Sequence, residues 1–222
     1  MSDPHLSEEV LKTLRTSYTH ATLEGVDPDP FVQLEGWLNE AIKADVVEPQ
    51  AMTVSTVGAN GRPSSRVVLL RGLSAEGLTF YTNYGSQKGR ELEENPHACT
   101  NFWWGPLERQ VRIEGRVSKV SPEESDAYFA SRPYESQAAS ASSPQSQPIG
   151  SRAELEAHMH ALEAQYPDTI PRPTHWGGFR LVPDRFEFWQ GRSARLHDRF
   201  VYSLSGEGTL EGAGWVIGRI AP

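Results

Sequence analysis

Two stretches of the chain concentrate residue types that bind anions and polarise bonds. From Arg62 to Arg90 stand Arg62, Arg66, Arg71, Lys88 and Arg90, against the single acid Glu76. Arginine forks and a lysine point charge suit phosphate, whereas pairing with the following Glu91, Glu93 and Glu94 would make the same stretch a solvated basic face. A helix starting at Ser86 adds its hydroxyl and first backbone N–H groups as donors. Arg66 and Arg71 bracket the apolar Val67 to Leu70, and their odd separation places them on opposite faces of a regular strand, where two different phosphates could be served.

The second stretch, Arg192-Ser193-Ala194-Arg195-Leu196-His197-Asp198-Arg199, follows the aromatic Phe186-Glu187-Phe188-Trp189. Strand alternation puts Arg195, His197 and Arg199 on one face, where they repel unless an anion or carboxylate faces them. A solvated edge strand is the other reading. Trp103, Trp104 and Trp189 are stacking surfaces for an aromatic cofactor or core residues. Gln110, Gln145 and Ser146 are donors to a heterocycle or face water, and only their company makes them candidates.

Other chemistries find little support. Cys99 is the single cysteine, which excludes an internal disulfide and a thiolate-rich metal site. With no base beside it at the start of a strand, it reads as a buried structural thiol. His158 and His160 fall on different faces of a helix and do not share a metal. The glycines Gly206, Gly208 and Gly212 have the wrong spacing for a dinucleotide fingerprint and read as a hairpin turn, and neither a phosphate-binding Gly-Lys-Ser/Thr loop nor a Gly-x-Ser-x-Gly elbow occurs. With 21 Lys+Arg against 29 Asp+Glu among 222 residues the net charge is −8, which argues against a general nucleic-acid binder. Val67 to Leu70 is the longest aliphatic run, far below the roughly 18 residues of a membrane span. The acidic start, without an apolar stretch, leads to the expectation of a cytoplasmic protein.

The elements that must position these groups follow from the hydrophobic period. Residues 7 to 18 suggest a short amphipathic helix. Asp29 caps a second helix with Pro30 at N1, whose stripe Phe31, Leu34, Trp37, Leu38, Ala41 and Ile42 ends near Val47. Strands are expected at Ala51 to Val57, Pro63 to Leu70 (with an Asn60-Gly61 turn between them), Leu78 to Asn83, Ala98 to Trp104 and Glu108 to Val120, and a helix at Ser86 to Asn95. Ser121-Pro122-Glu123-Glu124 is a capping box opening a helix to Ser131. Residues 136–150, rich in Ser, Ala and Gln with Pro144 and Pro148, predict a mobile loop, followed by a helix from Ser151 to Tyr166. Strands at Gly177 to Val182, Arg185 to Gln190, Leu196 to Leu204 and Trp215 to Ile220 complete the chain. Closely spaced strands joined by tight turns favour a mainly antiparallel barrel with flanking helices, in one domain over residues 1–222.

Read together, Arg66-Val67-Val68-Leu69-Leu70-Arg71, Phe80-Tyr81-Thr82-Asn83, Gly85-Ser86-Gln87-Lys88, Leu107-Glu108-Arg109-Gln110-Val111, Ser131-Arg132-Pro133, Phe188-Trp189-Gln190-Gly191 and Arg195-Leu196-His197-Asp198-Arg199-Phe200 make the chain resemble the pyridoxamine/pyridoxine 5'-phosphate oxidases. The likeness runs from about Leu14 to Pro222, including Trp176-Gly177-Gly178-Phe179. It implies an FMN-binding split β-barrel homodimer with two sites built from both subunits. By this resemblance FMN is held by Arg66, Val67, Val68, Leu69, Leu70, Arg71, Tyr81, Thr82, Gln87, Lys88, Gln110, Gln145, Ser146, Trp189 and Arg199. The substrate phosphate meets Arg71, Tyr128, Arg132 and Ser136. Arg195 and His197, with Leu196 between them, hold the pyridine ring as the catalytic pair, and Arg15 with Tyr18 belongs to an N-terminal lid over residues 1–26.

The implied reaction oxidises pyridoxine 5'-phosphate and pyridoxamine 5'-phosphate with dioxygen to pyridoxal 5'-phosphate and hydrogen peroxide, the amine also releasing ammonia. Arg71 stands where the family commonly has Lys, and Ala141-Ser142-Ser143-Pro144 where it has Trp-Val-Ser-Lys. A related flavin oxidase acting on a phenazine precursor, and a non-catalytic flavin or pyridoxal-phosphate carrier, are the competing readings.

Overall fold

The computed structural model describes residues 12–13, 17–19, 22–204 and 214–222. Helix α1 spans Pro30–Lys43, and the Asp29 side chain accepts from the Phe31 N–H as its cap. The helix buries Leu34, Trp37 and Ala41 but leaves Ile42 exposed. It stops at Lys43 and not near Val47, because Asp45 and Glu48 take left-handed φ of 53° and 46° that no helix accommodates.

The sheet is antiparallel at every pairing: β1 (Ala51–Val57), β2 (Pro63–Leu69), β3 (Gly72–Ser74), β4 (Gly77–Asn83), β5 (His97–Trp104), β6 (Arg109–Lys119), β7 (Trp176–Gln190), β8 (Asp198–Leu204) and β9 (Trp215–Arg219). Its order is β2-β1-β5-β6-β7-β4-β3, with β8 on β7 and β9 on β8. Strict alternation along β1 turns Met52, Val54 and Thr56 inward, and Val111, Ile113 and Val117 of β6 share one core with Met52 and Val54. Trp37 of α1 packs edge-on against Phe188 at 5.2 Å, joining the helix to the core of the sheet.

Two expected strands, 177–182 and 185–190, are one 15-residue strand. The Pro183-Asp184 break between them is a bulge: Gly115 pairs with Pro183 and Glu114 with Arg185, so Asp184 is the extra residue. Beyond the bulge β7 exchanges neighbours. Its first half pairs with β4 (Gly177 opposite Thr82) and its second half with β8 (Trp189 opposite Arg199). The short β3 has no alternation to reveal it and was not expected.

Helices α2 (Gln87–Glu94), α3 (Pro122–Ala130), α4 (Tyr134–Ser142) and α5 (Arg152–Gln165) lie between the strands. Ser86, Ser121 and Ser151 cap α2, α3 and α5 as their spacing suggests. The stretch expected to be a loop over 136–150 is helical as far as Ser142, since burial of Gln137 and Ala138 against α3 outweighs the weak propensity of its serines. The expected helix over 7–18 and the Gly206–Gly208 turn lie largely or wholly outside the described residues.

The expected strand at Leu196–Leu204 begins only at Asp198. Ser193–Arg195 form a single 3-10 turn in which Ala194 and Arg195 have φ of 54° and 62°. The expectation that alternation sets Arg195, His197 and Arg199 on one strand face is therefore corrected: Arg195 and His197 precede the strand on a left-handed turn.

Candidate active site

A cavity of about 380 Å³ opens beside the C-terminal end of β4. Arg71, Lys88 and Arg132 line it and no acidic residue does. Lys88 comes from the first turn of α2, whose start is fixed by the Ser86 hydroxyl accepting the Gly89 N–H. Its ammonium is buried, donating to Thr82 Oγ1 at 3.0 Å and Gln145 Oε1 at 3.1 Å. Burial, then the charge of Arg66, pushes Lys88 down to about 8. Among the described residues no carboxylate lies within ion-pair distance of it.

The opposite wall is aromatic. Tyr81 stacks on Tyr128 with centroids 3.7 Å apart, and both lie nearly parallel to Trp176. Burial, with the nearby Glu124, raises the Tyr81 phenol to about 12, so it stays a neutral donor. The Arg132 guanidinium sits 4.8 Å over Trp176 and donates to Ser140 Oγ at 2.8 Å. Burial and the Arg71 charge lower its pKa. Three cations without acid partners in an acidic chain are what a phosphate dianion requires, and the donor chemistry here fits phosphorylated ligands.

The expected site residues distribute as follows. Arg71, Tyr81, Thr82, Lys88, Tyr128, Arg132 and Gln145 line the cavity with Val68 and Leu69, while Leu70 is core and Val67 is exposed. Arg66 follows the alternative reading of the basic stretch, since it pairs with Glu91 at 3.3 Å and donates to Thr56 and Ser64. Although burial opposes it, hydrogen bonds from Ser64, Thr56 and Gln87 and the Arg66 charge pull Glu91 down to about 2. Gln87 donates to Glu91 at 2.8 Å and lies outside the cavity lining. Ser136 lies in the first turn of α4 without lining the cavity; Ser140, one turn later, lines it instead. Ser146 is exposed at φ 68°.

The second cluster lies at the far end of β7. Gln110, Trp189 and Arg199 are adjacent across β6, β7 and β8. Trp189 packs on His197 at 4.6 Å, and Tyr18 stands edge-on to both rings at 5.7 and 5.6 Å. The Arg192 N–H donates to His197 Nδ1 at 3.0 Å. That bond needs an unprotonated Nδ1, so the neutral ring carries its proton on Nε2 as a donor. Burial, then the charge of Arg195, lowers the His197 pKa and keeps it neutral. Arg195 and Leu196 are exposed beside it. Arg15 lies outside the described residues.

Trp176, Ser140 and Asn83 line the cavity without having been singled out. Trp176 carried a signal, a large aromatic before two glycines at the start of a strand, whereas Ser140 is visible only once α4 is known to be a helix. The Cys99 thiol is half-buried, with its pKa raised by burial, and no cluster of His, Cys, Asp and Glu suited to a metal occurs among the described residues. Nor is any described helix long and apolar enough to cross a membrane.

Residues 38–166 match the family model described as pyridoxamine 5'-phosphate oxidase, and residues 176–222 match that of the pyridoxine 5'-phosphate oxidase C-terminal dimerisation region. A pyridoxine/pyridoxamine 5'-phosphate oxidase of Paraburkholderia phymatum is 54% identical over 96% of this chain and 99% of its own. One from a Janthinobacterium species is 56% identical over 88% of this chain and 93% of its own. Among solved structures, PhzG of Burkholderia lata, in complex with tetrahydrophenazine-1-carboxylic acid, superposes with a TM-score of 0.85 at 32% identity, covering 93% of this chain and all of that one. A pyridoxamine 5'-phosphate oxidase-related, FMN binding protein of Nostoc punctiforme shares the fold, with a TM-score of 0.71 at 17% identity over 89% of this chain and all of its own. By its matched family model and by more than half identity over nearly its whole length, the chain belongs to the pyridoxamine 5'-phosphate oxidase family.

Proposed function

We propose that this chain is an FMN-dependent oxidase converting pyridoxine 5'-phosphate and pyridoxamine 5'-phosphate to pyridoxal 5'-phosphate with dioxygen as acceptor. The observation that carries the reading is the cavity lined by Arg71, Lys88 and Arg132 and by no acid, in a chain of net charge −8. When bound, FMN would supply the redox chemistry, accepting a hydride equivalent from the substrate with dioxygen as the final acceptor and hydrogen peroxide as its product.

The protein supplies anchoring and orientation. Lys88, with Thr82 and Gln145, holds the cofactor's phosphate. Arg132, Arg71 and the Tyr128 hydroxyl hold the substrate's phosphate. His197 offers an Nε2 proton to the pyridine ring, and Arg195 stabilises anionic character there. Tyr18 covers Trp189 and His197, excluding water from that side.

The two clusters belong to opposite halves of β7. Gly177, opposite Thr82, and Trp189 are 12 residues apart along it, a span of about 40 Å for an unbent strand. We infer that one site draws on both clusters from two copies of the chain, making a homodimer with paired interfacial sites, a reading supported by the match to a C-terminal dimerisation region.

The likeness to PhzG favours a phenazine precursor as the second reading. Anaerobic mixing of FMN-loaded protein with pyridoxine 5'-phosphate separates them. Bleaching of the flavin absorbance, recovery in air and peroxide release are expected. A flavin that stays oxidised with both B6 phosphates, but bleaches with a tetrahydrophenazine carboxylate, replaces this reading by the second one.

A further inference from the structure

Glu187 is a carboxylate in the middle of the sheet, with its side chain 3% exposed. A charge so deeply buried persists only when paired, and it constrains what it pairs with. Its Oε1 receives both Nε and Nη2 of Arg199, at 2.8 and 2.7 Å. Its Oε2 makes no hydrogen bond and faces Arg112 Nη1 at 3.5 Å. Arg112 is itself held by Glu114 at 2.5 Å, so the carboxylate has a fixed cation behind it and Arg199 in front.

Arg199 has a further anchor, donating from Nη1 to the Ala221 carbonyl at 2.7 Å. A guanidinium has five N–H donors. Three are committed to Glu187 and Ala221, and the remaining two have no partner among the described residues. Arg199 pairs with Trp189 across the strands.

We infer that Glu187 is a positioning residue for the flavin: it locks the Arg199 guanidinium in the one orientation that presents two N–H groups to the cofactor. This inference rests on the proposed FMN dependence. Without the carboxylate, Arg199 would keep only its bond to the Ala221 carbonyl, and a less constrained arginine binds less tightly because it must be ordered at the moment of binding.

The test is FMN titration of the apo dimer, followed by quenching of flavin fluorescence, for four proteins: the parent, Glu187→Gln, Arg199→Lys, and both together. Glu187→Gln is expected to raise the FMN Kd about tenfold in the parent background and less than about twofold in the Arg199→Lys background, because residues acting through one another are non-additive. An equal shift in both backgrounds, or a parent-background shift under about twofold, overturns the inference. Failure of the parent itself to bind FMN overturns the proposed function as well, so the two failures are distinct. If Glu187→Gln does not fold, Glu187→Asp keeps the charge but shortens its reach, and the same two-background comparison decides.

Discussion

Lys88 Nζ lies 3.1 Å from Gln145 Oε1, joining the first turn of α2 to the chain just beyond α4, 57 residues away. Both atoms face the cavity, and burial with the Arg66 charge leaves the ammonium at about 8, below its ordinary 10.5. The sign follows directly. The folded protein without anion binds fewer protons than the unfolded chain between pH 8 and 10.5, so Lys88 penalises folding at neutral pH and the penalty fades as pH rises. A bound phosphate dianion reverses the preference and favours the charged lysine. The gain in Tm on adding FMN is therefore expected to be largest below about pH 8 and to shrink above it. Melting curves of apo and FMN-loaded protein from about pH 6.5 to 9.5 check this, and Lys88→Met should show a small gain without that pH trend.

Arg132 is held over Trp176 and by Ser140 in the aromatic half of the same cavity. Its removal takes away a charged hydrogen bond worth about 1.5–3 kcal/mol to the substrate phosphate, which is formed equally in ground and transition states. Arg132→Ala is expected to raise KM for pyridoxine 5'-phosphate by roughly 10- to 100-fold while changing kcat by less than about threefold. Steady-state kinetics with FMN saturating give the answer, and a loss confined to kcat would remove Arg132 from the phosphate site.

The fold was legible where local rules and tertiary packing agree. Alternation located β1, β5 and β6, and the caps Asp29 and Ser121 located two helix starts. It was illegible where long-range pairing decides. Asp184 as a bulge residue depends on where Gly115 sits on β6, and α4 depends on the burial of Ala138. In the site, cation type and spacing marked Lys88 and Arg71, and the family resemblance marked Arg132, but the same charge signal marked Arg66, which Glu91 holds. Charge patterning counts cations without showing which acids reach them. The face shared by Arg195 and His197 was misread because left-handed φ at Ala194 and Arg195 leaves no trace in residue type.

Tyr18 reaches Trp189 and His197 only because residue 191 has no side chain. A Cβ at Gly191 would stand 2.9 Å from Tyr18 Cγ and 3.0 Å from Glu108 Cβ. The Glu108 carboxylate accepts the Thr19 N–H at 3.0 Å and so fixes this segment from the other side. Gly191→Ala is thus expected to push Tyr18 off the two rings. The sheet itself keeps its pairing, so Tm should fall by only a few degrees, about 1 kcal/mol, as Tyr18 is displaced. Turnover should fall about tenfold through loss of the cover over His197. Unchanged turnover with Tyr18 displaced would show that its cover is dispensable.

Arg195 stands exposed at φ 62° and, after burial, is the charge that lowers the His197 pKa. Arg195→Leu is expected to reduce turnover about 100-fold or more by removing electrostatic stabilisation at the reacting ring, with FMN still bound. It should also raise the His197 pKa, visible as an upward move of the acid limb in the pH profile of kcat/KM. Arg195→Lys, which meets the same left-handed backbone, serves as the control that keeps the charge. Normal turnover in Arg195→Leu would end its catalytic assignment.

If one site takes Lys88 from one copy and Arg195 from its partner, damage at the two positions can be separated by mixing subunits. Lys88→Met and Arg195→Leu homodimers each carry two defective sites. In a heterodimer of the two, one site collects both substitutions and the other collects neither. Random reassociation makes about half of the dimers mixed, each with one intact site, so an equimolar mixture is expected to regain about a quarter of parental activity. Unfolding and refolding the two variants together, against the same treatment apart, is the measurement. Recovery no greater than the average of the separate samples would mean that Lys88 and Arg195 serve the same site from the same chain, contrary to their places near opposite ends of β7, Lys88 bonded to Thr82 opposite Gly177 and Arg195 just past Gln190.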